Sequence, residues 1–377
     1  MKHPPAFETT TKLVARALGI SAEALLTGLK KASHADLSAV VEFRHNNFGE
    51  QIRWDDAAYL QWRYRLGRSD CGLGDLWVLY GPNRLLGMIG AEDMVCLHAG
   101  RRGNGARTMD ILVEESARQS GLGVWLNQAM FRGVDFTLAI GANENSAGTV
   151  NRLFLPLPAR QECVLPINIR HYVQRRFGRG PAADVAITLG NLALHGWRRI
   201  STLALMSQIQ MRPITRFDDS ATVLTDPDRP NQIQIEHTAS FLNRRLFDNP
   251  RARYAVTGVY RADQCIGYVA WRIATREDGQ TWLHIIDWQI RGDDRDATLR
   301  ALLGFTACQA ENAACSFVML TLQSQDQRSV FTRAGYWTRK SAGQKIVGIH
   351  ANDPALLATL KAAHWSLTDL SEDIDGY

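Results

Sequence analysis

Two stretches of this chain repeat the same order of helical and extended patterns. In each stretch a helix that carries a pair of arginines is followed by a strand, a turn and a second strand with a glycine near its start, at residues 59–90 and again at 241–270. Further on, the strand pattern TMDILV matches LHIIDWQI, and this match aligns Asp110 with Asp287. A pattern that recurs in this way predicts two copies of one α/β unit.

The repeat determines the predicted fold class and the predicted domains. We expect an α/β (α+β) protein with two tandem units, each a mixed, mostly antiparallel sheet flanked by helices. The predicted segments are an N-terminal helical extension (1–40), a first unit (41–175), a linker with an interdomain helix (176–214), a second unit (215–350) and a C-terminal segment (351–377).

Composition limits the classes of partner. At 377 residues, with 45% hydrophobic and 21% charged residues, the chain is long enough for two domains with a substantial core. Its net charge of +5 is too diffuse to indicate nucleic acid and is equally compatible with an anionic substrate or cofactor. The six cysteines form no CxxC pair, so we expect reduced thiols, a cytoplasmic protein and no metal. The absence of a signal-peptide core and of a transmembrane-length apolar run predicts a soluble protein.

A long apolar helical pattern at residues 183–209 separates the two units. It fits an interdomain helix, and it also fits an amphipathic helix in weak contact with a membrane surface, because Arg198 and Arg199 flank Trp197. The interdomain interpretation is favoured, since internal apolar helices are the commoner kind. A basic break at 170–180 precedes the helix and fits a solvated linker, or a contact with a coenzyme phosphate, an anionic glycan or a lipid surface. Its arginines are Arg170, Arg175, Arg176 and Arg179.

The stretch VEESARQSGLGVWLNQAM (113–130) places Arg118, Gly121 and Gly123 between a strand and a helical pattern. The first turn of a helix has unpaired backbone N–H groups and a positive partial charge, so it attracts anions. Glycines at this point let a phosphate approach the backbone closely. The pattern fits such a phosphate cradle, and it also fits a turn that only starts a helix.

The second copy helps to separate these two interpretations. The alignment of the copies places Thr298 opposite Gly121 and Arg300 opposite Gly123, so the helix persists while both glycines are lost. If the glycines were needed only to start the helix, both copies would require them. The difference favours a ligand at the first helix and none at the second.

Residues 75–155 resemble the GCN5-related N-acetyltransferases. The signature of that family is an Arg/Gln-x-x-Gly-x-Gly/Ala turn between its fourth strand and third helix, and the sequence here reads Arg118-Gln119-Ser120-Gly121-Leu122-Gly123. The second copy is similar to the family in outline only, as in bacterial double-domain members. The resemblance implies an acetyl-CoA site whose backbone amides hold the pyrophosphate. The coenzyme-binding residues that it implies are Leu112, Val113, Arg118, Gln119, Ser120, Gly121, Leu122, Gly123, Val124 and Asn143.

The catalytic groups follow the family pattern less closely. Many family members place a tyrosine about seven residues after the asparagine as general acid, and Val150 stands at that position. A general base needs a pKa near the working pH. Glu92 on the third strand and Glu114 at the end of the fourth are the candidates, because both flank the expected thioester position. Asp110, in mid-strand among apolar neighbours, is expected instead to hold the sheet or a neighbouring arginine.

The leading functional hypothesis is an enzyme, an acyl-CoA-dependent N-acyltransferase that moves an acetyl group from acetyl-CoA to a primary amine. The acceptor, such as an amino sugar or a polysaccharide precursor, would enter between the two units. The missing tyrosine motivates one alternative, a non-catalytic acyl-CoA-binding sensor or scaffold. The other alternative is an aminoacyl-tRNA-dependent transferase, because the peptidoglycan-bridge enzymes also pair two such folds.

Overall fold

The structure, a computed structural model, describes most of the chain. The described residues are 6–48, 57–66, 75–98, 101–142, 144–158, 160–203, 209–219, 232–275, 279–292, 294–323, 325–340 and 346–371. Their helices are α1 (Phe7–Leu18), α2 (Ala22–Gly28), α3 (Leu37–Phe48), α4 (Ala57–Tyr64), α5 (Leu122–Phe131), α6 (Glu144–Leu153), α7 (Arg170–Phe177), α8 (Pro181–Leu203), α9 (Ala239–Leu246), α10 (Arg295–Asn312), α11 (Gln325–Arg333) and α12 (Pro354–Ala362). Their strands are β1 (Leu29–Lys31), β2 (Asp75–Tyr80), β3 (Leu85–His98), β4 (Arg101–Val113), β5 (Phe136–Ala142), β6 (Leu155–Pro156), β7 (Gln161–Pro166), β8 (Gln210–Pro213), β9 (Gln232–Ile235), β10 (Ala255–Arg261), β11 (Gln264–Thr275), β12 (Thr281–Ile290), β13 (Phe317–Leu322), β14 (Trp337–Lys340), β15 (Ile346–Ala351) and β16 (His364–Ser366).

Two mixed, mostly antiparallel sheets flanked by helices form the fold, which confirms the predicted fold class. The first sheet has the strand order β1-β2-β3-β4-β5-β15-β6, with β9 paired to β3 and β16 paired to β9. The second sheet has the order β14-β7-β13-β12-β11-β10-β8. At the centre of each sheet one pair is parallel, β4 with β5 and β12 with β13.

The two sheets exchange strands. β7, from the first predicted unit, lies between β13 and β14 of the second sheet, where Val164 is opposite Met319. β15, from the second predicted unit, lies between β5 and β6 of the first sheet, where Ile349 is opposite Leu138. The first sheet therefore contains three strands from the second half of the chain (β9, β15 and β16) and the second sheet contains β7 from the first half, so the exchange ties the halves together. The domain boundaries themselves stay a prediction.

Helices cover both faces of the first sheet. On one face α1 packs on α5, where the rings of Phe7 and Trp125 stack 5.8 Å apart and the Trp125 indole donates a 2.9 Å hydrogen bond to Thr11 Oγ1. On the other face α3 and α4 bury Val40 and Tyr64 against the strands. The N-terminal helix is thus packed onto the helix that follows the glycine turn.

Two segments differ from their sequence predictions. The basic break at 170–180 is largely helical, because residues 170–177 form α7, and the Ile169 N–H just before it donates a 2.9 Å hydrogen bond to Asn191 Oδ1 of α8. The strand predicted from Thr108 begins at Arg101 instead. Gly105 explains part of this difference, since a Cβ there would come within 2.3 Å of the Phe136 ring. A glycine that lowers strand propensity in the sequence is required by packing in the sheet.

The apolar segment between the units forms α8, which is docked on the second unit. Arg198 Nε donates a 2.8 Å hydrogen bond to Glu311 of α10, and its Nη1 donates a 3.0 Å hydrogen bond to the Pro166 carbonyl. The indole of Trp197 lies against Gly335, at the end of α11. Among the described residues, no helix is both long enough and apolar enough to cross a membrane.

Candidate functional site

A left-handed glycine joins β4 to α5 at the predicted phosphate turn. β4 ends at Val113, residues 115–120 form a short 3-10 turn, and Gly121 adopts φ +82° immediately before α5 begins. Glycine enters this conformation without the steric cost that other residues carry. The Ser120 hydroxyl accepts a 3.2 Å hydrogen bond from the Leu122 N–H. The turn therefore brings the start of α5 beside the end of β4.

The start of α5 has glycine at its second position and carries no carboxylate. A Cβ on Gly123 would have one neighbour within 4 Å, the Val113 side chain at 3.8 Å, so its substituent side is open. The first turn of α5 contains no acidic residue. Leu112 and Leu122 are buried in the core on either side of the sheet. These features leave the positive end of the helix without an internal counter-charge.

The other residues implied for coenzyme binding lie around this turn. Arg118 and Gln119 are exposed, and Arg118 Nε lies 3.4 Å from the Val113 carbonyl oxygen, to which it donates a hydrogen bond. Val124 is partly buried against the cluster around Phe131. Asn143 lies outside the described residues. The structure therefore brings the predicted turn residues together at one end of β4.

The parallel strands β4 and β5 part next to the turn. They pair from Gly105 with Phe136 as far as Thr108 with Ala139, whereas β4 runs on to residue 113 and β5 to residue 142. Beyond Thr108 the β5-facing edge of β4 has no strand partner among the described residues. An unpaired strand edge is a ready acceptor for the amide groups of an extended ligand.

A β-bulge lies in β4 where the strands part. Asp110 and Ile111 together face the single residue Ile89 of β3, and Asp110 has a positive φ of +48°. A non-glycine residue with positive φ carries backbone strain. Strained residues of this kind are concentrated at functional sites. The Tyr64 hydroxyl donates a hydrogen bond to the Asp110 carboxylate, and Arg44 Nη1 lies 3.8 Å away. The prediction that Asp110 holds a neighbouring arginine is confirmed.

The second sheet repeats the bulge and the parting of the strands. β12 pairs with β13 only as far as His284 with Met319, and Ile286 is an extra residue opposite the Ala270–Trp271 step of β11. Beyond this point Trp288 packs edge to face on Phe331. The parting of the parallel strands therefore does not by itself distinguish the two units.

Carboxylates distinguish them, because they surround the corresponding helix start in the second unit. α10 begins at Arg295, with Asp294 directly before it and Asp296 in its first turn. Asp294 pairs with Arg261 at 3.2 Å, and Asp296 pairs with Arg333 at 3.3 Å. An anion at this helix would meet two carboxylates. The loss of the glycines is thus accompanied by a change of local charge.

Three arginines surround Glu92, one of the two predicted general bases. Its carboxylate pairs with Arg107 of β4, with Arg63 of α4 at 3.8 Å and with Arg244 of α9 at 2.6 Å. Burial by itself raises the pKa of Glu92, but Arg107, Arg63 and Arg244 together hold it well below its usual range. A carboxylate in this state is a weak base. Its role as general base stays a prediction.

Glu114, the other predicted base, lies between β4 and the 3-10 turn. The Ser116 hydroxyl donates a hydrogen bond to its carboxylate, and Arg84 Nη1 lies 3.5 Å from it. Its backbone N–H donates a 2.9 Å hydrogen bond to the Leu86 carbonyl, which anchors this end of β4 on β3. The side chain remains 20% exposed beside the glycine turn.

A cavity of about 190 Å³ lies where the first sheet meets α9. Its walls include Glu92 and Arg107 from the first sheet and His237 and Arg244 from the second half of the chain. None of Arg63, Arg107, Arg244 and His237 was predicted from the sequence to be a site residue. The arginine pairs of the repeated helix were a signal for Arg63 and Arg244, but nothing local to the sequence brings them onto one carboxylate.

A buried histidine–aspartate pair adjoins this cavity. His237 Nδ1 lies 3.2 Å from Asp287 Oδ2, and the Tyr268 hydroxyl donates a hydrogen bond to the same carboxylate. Burial by itself raises the pKa of Asp287, but His237 and the hydrogen bond from Tyr268 lower it below its ordinary value. Asp287 thus has a structural setting similar to that of Asp110 in β4, since a tyrosine and a basic side chain, His237 in one case and Arg44 in the other, hold each carboxylate at a bulge.

Val150, at the position of the family's tyrosine, is buried on α6. It packs in a cluster with Phe131, Ala139 and Phe154. An isopropyl side chain in this position has no proton to donate. The structure therefore agrees with the sequence in offering no general acid there.

The solved structures that this chain resembles include N-acetyltransferases and an N-myristoyltransferase. A GCN5-related N-acetyltransferase from Anabaena variabilis ATCC 29413 superimposes with a TM-score of 0.58, at 11% identity, over 86% of this chain and 72% of that chain. A probable N-acyltransferase from Enterococcus faecalis V583 has a TM-score of 0.57, at 10% identity, over 86% of this chain and 72% of that chain. The Saccharomyces cerevisiae N-myristoyltransferase with bound myristoyl-CoA has a TM-score of 0.50, at 12% identity, over 86% of this chain and 82% of that chain.

The chain therefore has the fold of the GCN5-related N-acetyltransferases, as the sequence resemblance predicts. No family model matches the sequence. No curated protein matches it either. At identities this low, the likeness establishes the fold alone.

Proposed function

We propose that the protein is an acyl-CoA-dependent N-acyltransferase whose coenzyme site lies in the first unit. The observation that carries the proposal is that the end of β4, beyond its last pairing with β5, meets a helix start that has glycines and no carboxylate in its first turn. The second unit has a parted strand pair, but Asp294 and Asp296 flank its helix start. This asymmetry supports one coenzyme site in the chain.

The residues around the turn fit a bound pyrophosphate. The backbone amides of Gly121–Val124 at the positive end of α5 would hold it, and those of Leu122 and Val124 would exchange the Ser120 hydroxyl and the Gly121 carbonyl for phosphate oxygens. Arg118 and Gln119 would lie alongside and donate further hydrogen bonds from their side chains, and Ser120 would contribute its backbone N–H. The backbone of Leu112 and Val113 would pair with the amide-bearing arm of the coenzyme, and Asn143 is carried over from the resemblance as a further contact.

The bulge in β4 suits the reacting thioester. Because a bulge disrupts the strand ladder, the backbone N–H of Ile111 would stabilise the oxygen that becomes negative when the amine attacks. The attacking amine must also lose a proton. Of the two predicted bases we favour Glu114, because it is partly exposed, whereas three arginines surround Glu92.

The cavity at α9 suits the acceptor. Arg107, Arg244 and His237 border it, so it offers hydrogen-bond donors to a polar molecule such as an amino sugar or a polysaccharide precursor. Acetyl is the acyl group that the resemblance implies. Since one neighbour was solved with bound myristoyl-CoA, longer acyl chains belong in the test.

Calorimetric titration with CoA, acetyl-CoA and myristoyl-CoA tests the coenzyme site. Gly123→Glu adds a carboxylate at the second residue of α5, which favours the helix through its dipole but repels a phosphate. We expect this variant to bind at least about tenfold more weakly, equivalent to about 1.4 kcal/mol. Gly123→Gln has nearly the same shape without the charge and is the matched control. Absence of binding to all three ligands by the wild-type protein would refute the proposal.

The buried Val150 favours one alternative, an acyl-CoA-binding protein without turnover. Release of free thiol from the acyl-CoA that binds, followed with a panel of primary amines, separates the two functions. Steady thiol release that depends on the amine would exclude a pure binding protein. Tight binding with no release across the panel would support it.

A further inference from the structure

The outer face of α8 carries an apolar stripe that is exposed to solvent. Val185, Leu189 and Leu192 are 59%, 63% and 63% exposed, and their spacing of four and three residues puts them on one side of the helix. No charged residue occurs between Asp184 and His195. A helix face of this kind on a globular protein is normally covered by a partner.

The opposite face of α8 already holds the helix in place. Ala183 and Ile187 are buried, Asn191 accepts a hydrogen bond from the Ile169 N–H, and Arg198 pairs with Glu311. The apolar stripe formed by Val185, Leu189 and Leu192 is therefore not needed for the contact of α8 with the rest of the chain. It is available for a second contact.

The neighbouring helix α7 is basic and also exposes large apolar side chains. Tyr172 and Phe177 are exposed, the latter by 76%, and no acidic residue occurs from 163 to 183. Six of the ten exposed large apolar side chains in the described part of the chain lie between residues 172 and 197. The exposed arginines of this segment are Arg170, Arg175, Arg176 and Arg179.

We propose that the α7–α8 hairpin docks on the surface of a bilayer that contains anionic phospholipid. The apolar stripe would enter the boundary between headgroups and acyl chains, and the arginines would pair with lipid phosphates. A bilayer surface accounts for both the apolar stripe and the neighbouring arginines. Nucleic acid would account for the arginines but would leave the apolar stripe uncovered. A second copy of the chain fits less well, because a two-fold contact through this hairpin would place its arginines against themselves. The proposal does not depend on the acyltransferase function.

Co-sedimentation of the full chain with vesicles tests the proposal. We expect binding to vesicles of phosphatidylcholine mixed with phosphatidylglycerol, weaker binding to phosphatidylcholine alone, and a loss of binding as salt is raised. The triple variant Val185→Gln, Leu189→Gln, Leu192→Gln should bind at least about tenfold more weakly, and Arg175→Gln with Arg176→Gln should lose about as much. Leu13→Gln, at a 59% exposed position on α1, is the matched control and should bind as the wild type does.

Circular dichroism checks that the variants fold, which is expected because the substituted side chains are exposed. Failure of the wild-type chain to bind the anionic vesicles would overturn the proposal. So would equal binding by the triple variant. Sedimentation velocity provides the other test: a dimer that the triple variant abolishes, without any change in vesicle binding, would assign the stripe to a second copy of the chain.

Discussion

The Arg160 guanidinium lies 2.7 Å from the Asp369 carboxylate, and both side chains are fully buried. Arg160 directly precedes β7, the strand that the first half of the chain contributes to the second sheet. Asp369 follows β16, and its other oxygen lies 2.7 Å from His284 Nε2 on β12. This buried charge pair therefore joins the exchanged segment, the second sheet and the end of the described chain.

Replacement of Asp369 by Asn should destabilise the fold strongly. It would leave Arg160 buried without its carboxylate, and breaking a buried pair from one side costs about 3–5 kcal/mol. Urea unfolding measures the loss. Asp263→Asn removes a carboxylate that is 82% exposed and pairs with Arg212 at the surface, so its cost should stay below about 1 kcal/mol. Equal effects of the two substitutions would contradict the structural role of the buried pair.

Glu92→Gln should make stability depend less on pH in the acid range. The folded-state pKa of Glu92 is lowered by its three arginines, so its stabilisation is complete above the unfolded-state pKa of about 4.5 and is lost as the pH falls towards the folded-state value. The wild-type chain should therefore exceed the variant by about 3 kcal/mol in free energy of unfolding at neutral pH, with a smaller difference below about pH 4. Urea unfolding across the pH series gives the comparison. A difference that does not change between neutral pH and pH 3 would show that the pKa of Glu92 is not lowered.

Gly335→Ala should disturb the contact between Trp197 of α8 and the end of α11. Gly335 has φ +88°, and a Cβ there would come within 1.8 Å of the Trp197 ring. We expect a cost of about 1–2 kcal/mol from the backbone conformation and an additional cost from the clash. Trp197→Ala in the same chain should relieve only the second part, so a double-mutant cycle should give a coupling of about 1 kcal/mol.

Gly279→Ala is the matched control for that cycle. Gly279 has φ +78° and no atom within 4 Å of the Cβ position, so its substitution should carry the conformational cost alone. Thermal unfolding of the single and double variants provides the values. Additive effects of Gly335→Ala and Trp197→Ala would mean that α8 moves away from Gly335 without cost.

The candidate coenzyme turn is local in the sequence, and for that reason the sequence predicts its form. Gly121 before an apolar helical pattern indicates a left-handed residue and a helix start, and the structure has both. The loss of the glycines in the second copy indicates an asymmetry of binding. The structure adds the charges of Asp294 and Asp296 to that asymmetry. Capping, glycine conformation and strand alternation depend on near neighbours in the chain, so patterns of a few residues carry them.

The surroundings of Glu92, in contrast to the coenzyme turn, are not predictable from local sequence. The sequence marks this residue as a strand carboxylate that flanks the site, which is equally consistent with a solvated base. Arg63, Arg107 and Arg244 reach it from α4, β4 and α9, and together they lower its pKa. Burial and opposing charge decide the chemistry of a carboxylate, and both arise only when distant elements pack together.

Sequence patterns alone predicted the α/β fold class and the order of strand, glycine turn and helix around Gly121, and they suggested the residues that would hold a phosphate. Long-range packing places β7 and β15 each in the sheet of the other half, encloses Glu92 in arginines, and turns the stripe formed by Val185, Leu189 and Leu192 outward. The physical reason is that a strand pattern specifies which of its faces is apolar but not which open sheet edge it joins. An apolar helical pattern likewise predicts that the helix buries a face. The packing of the whole chain determines which face is buried and which stays exposed.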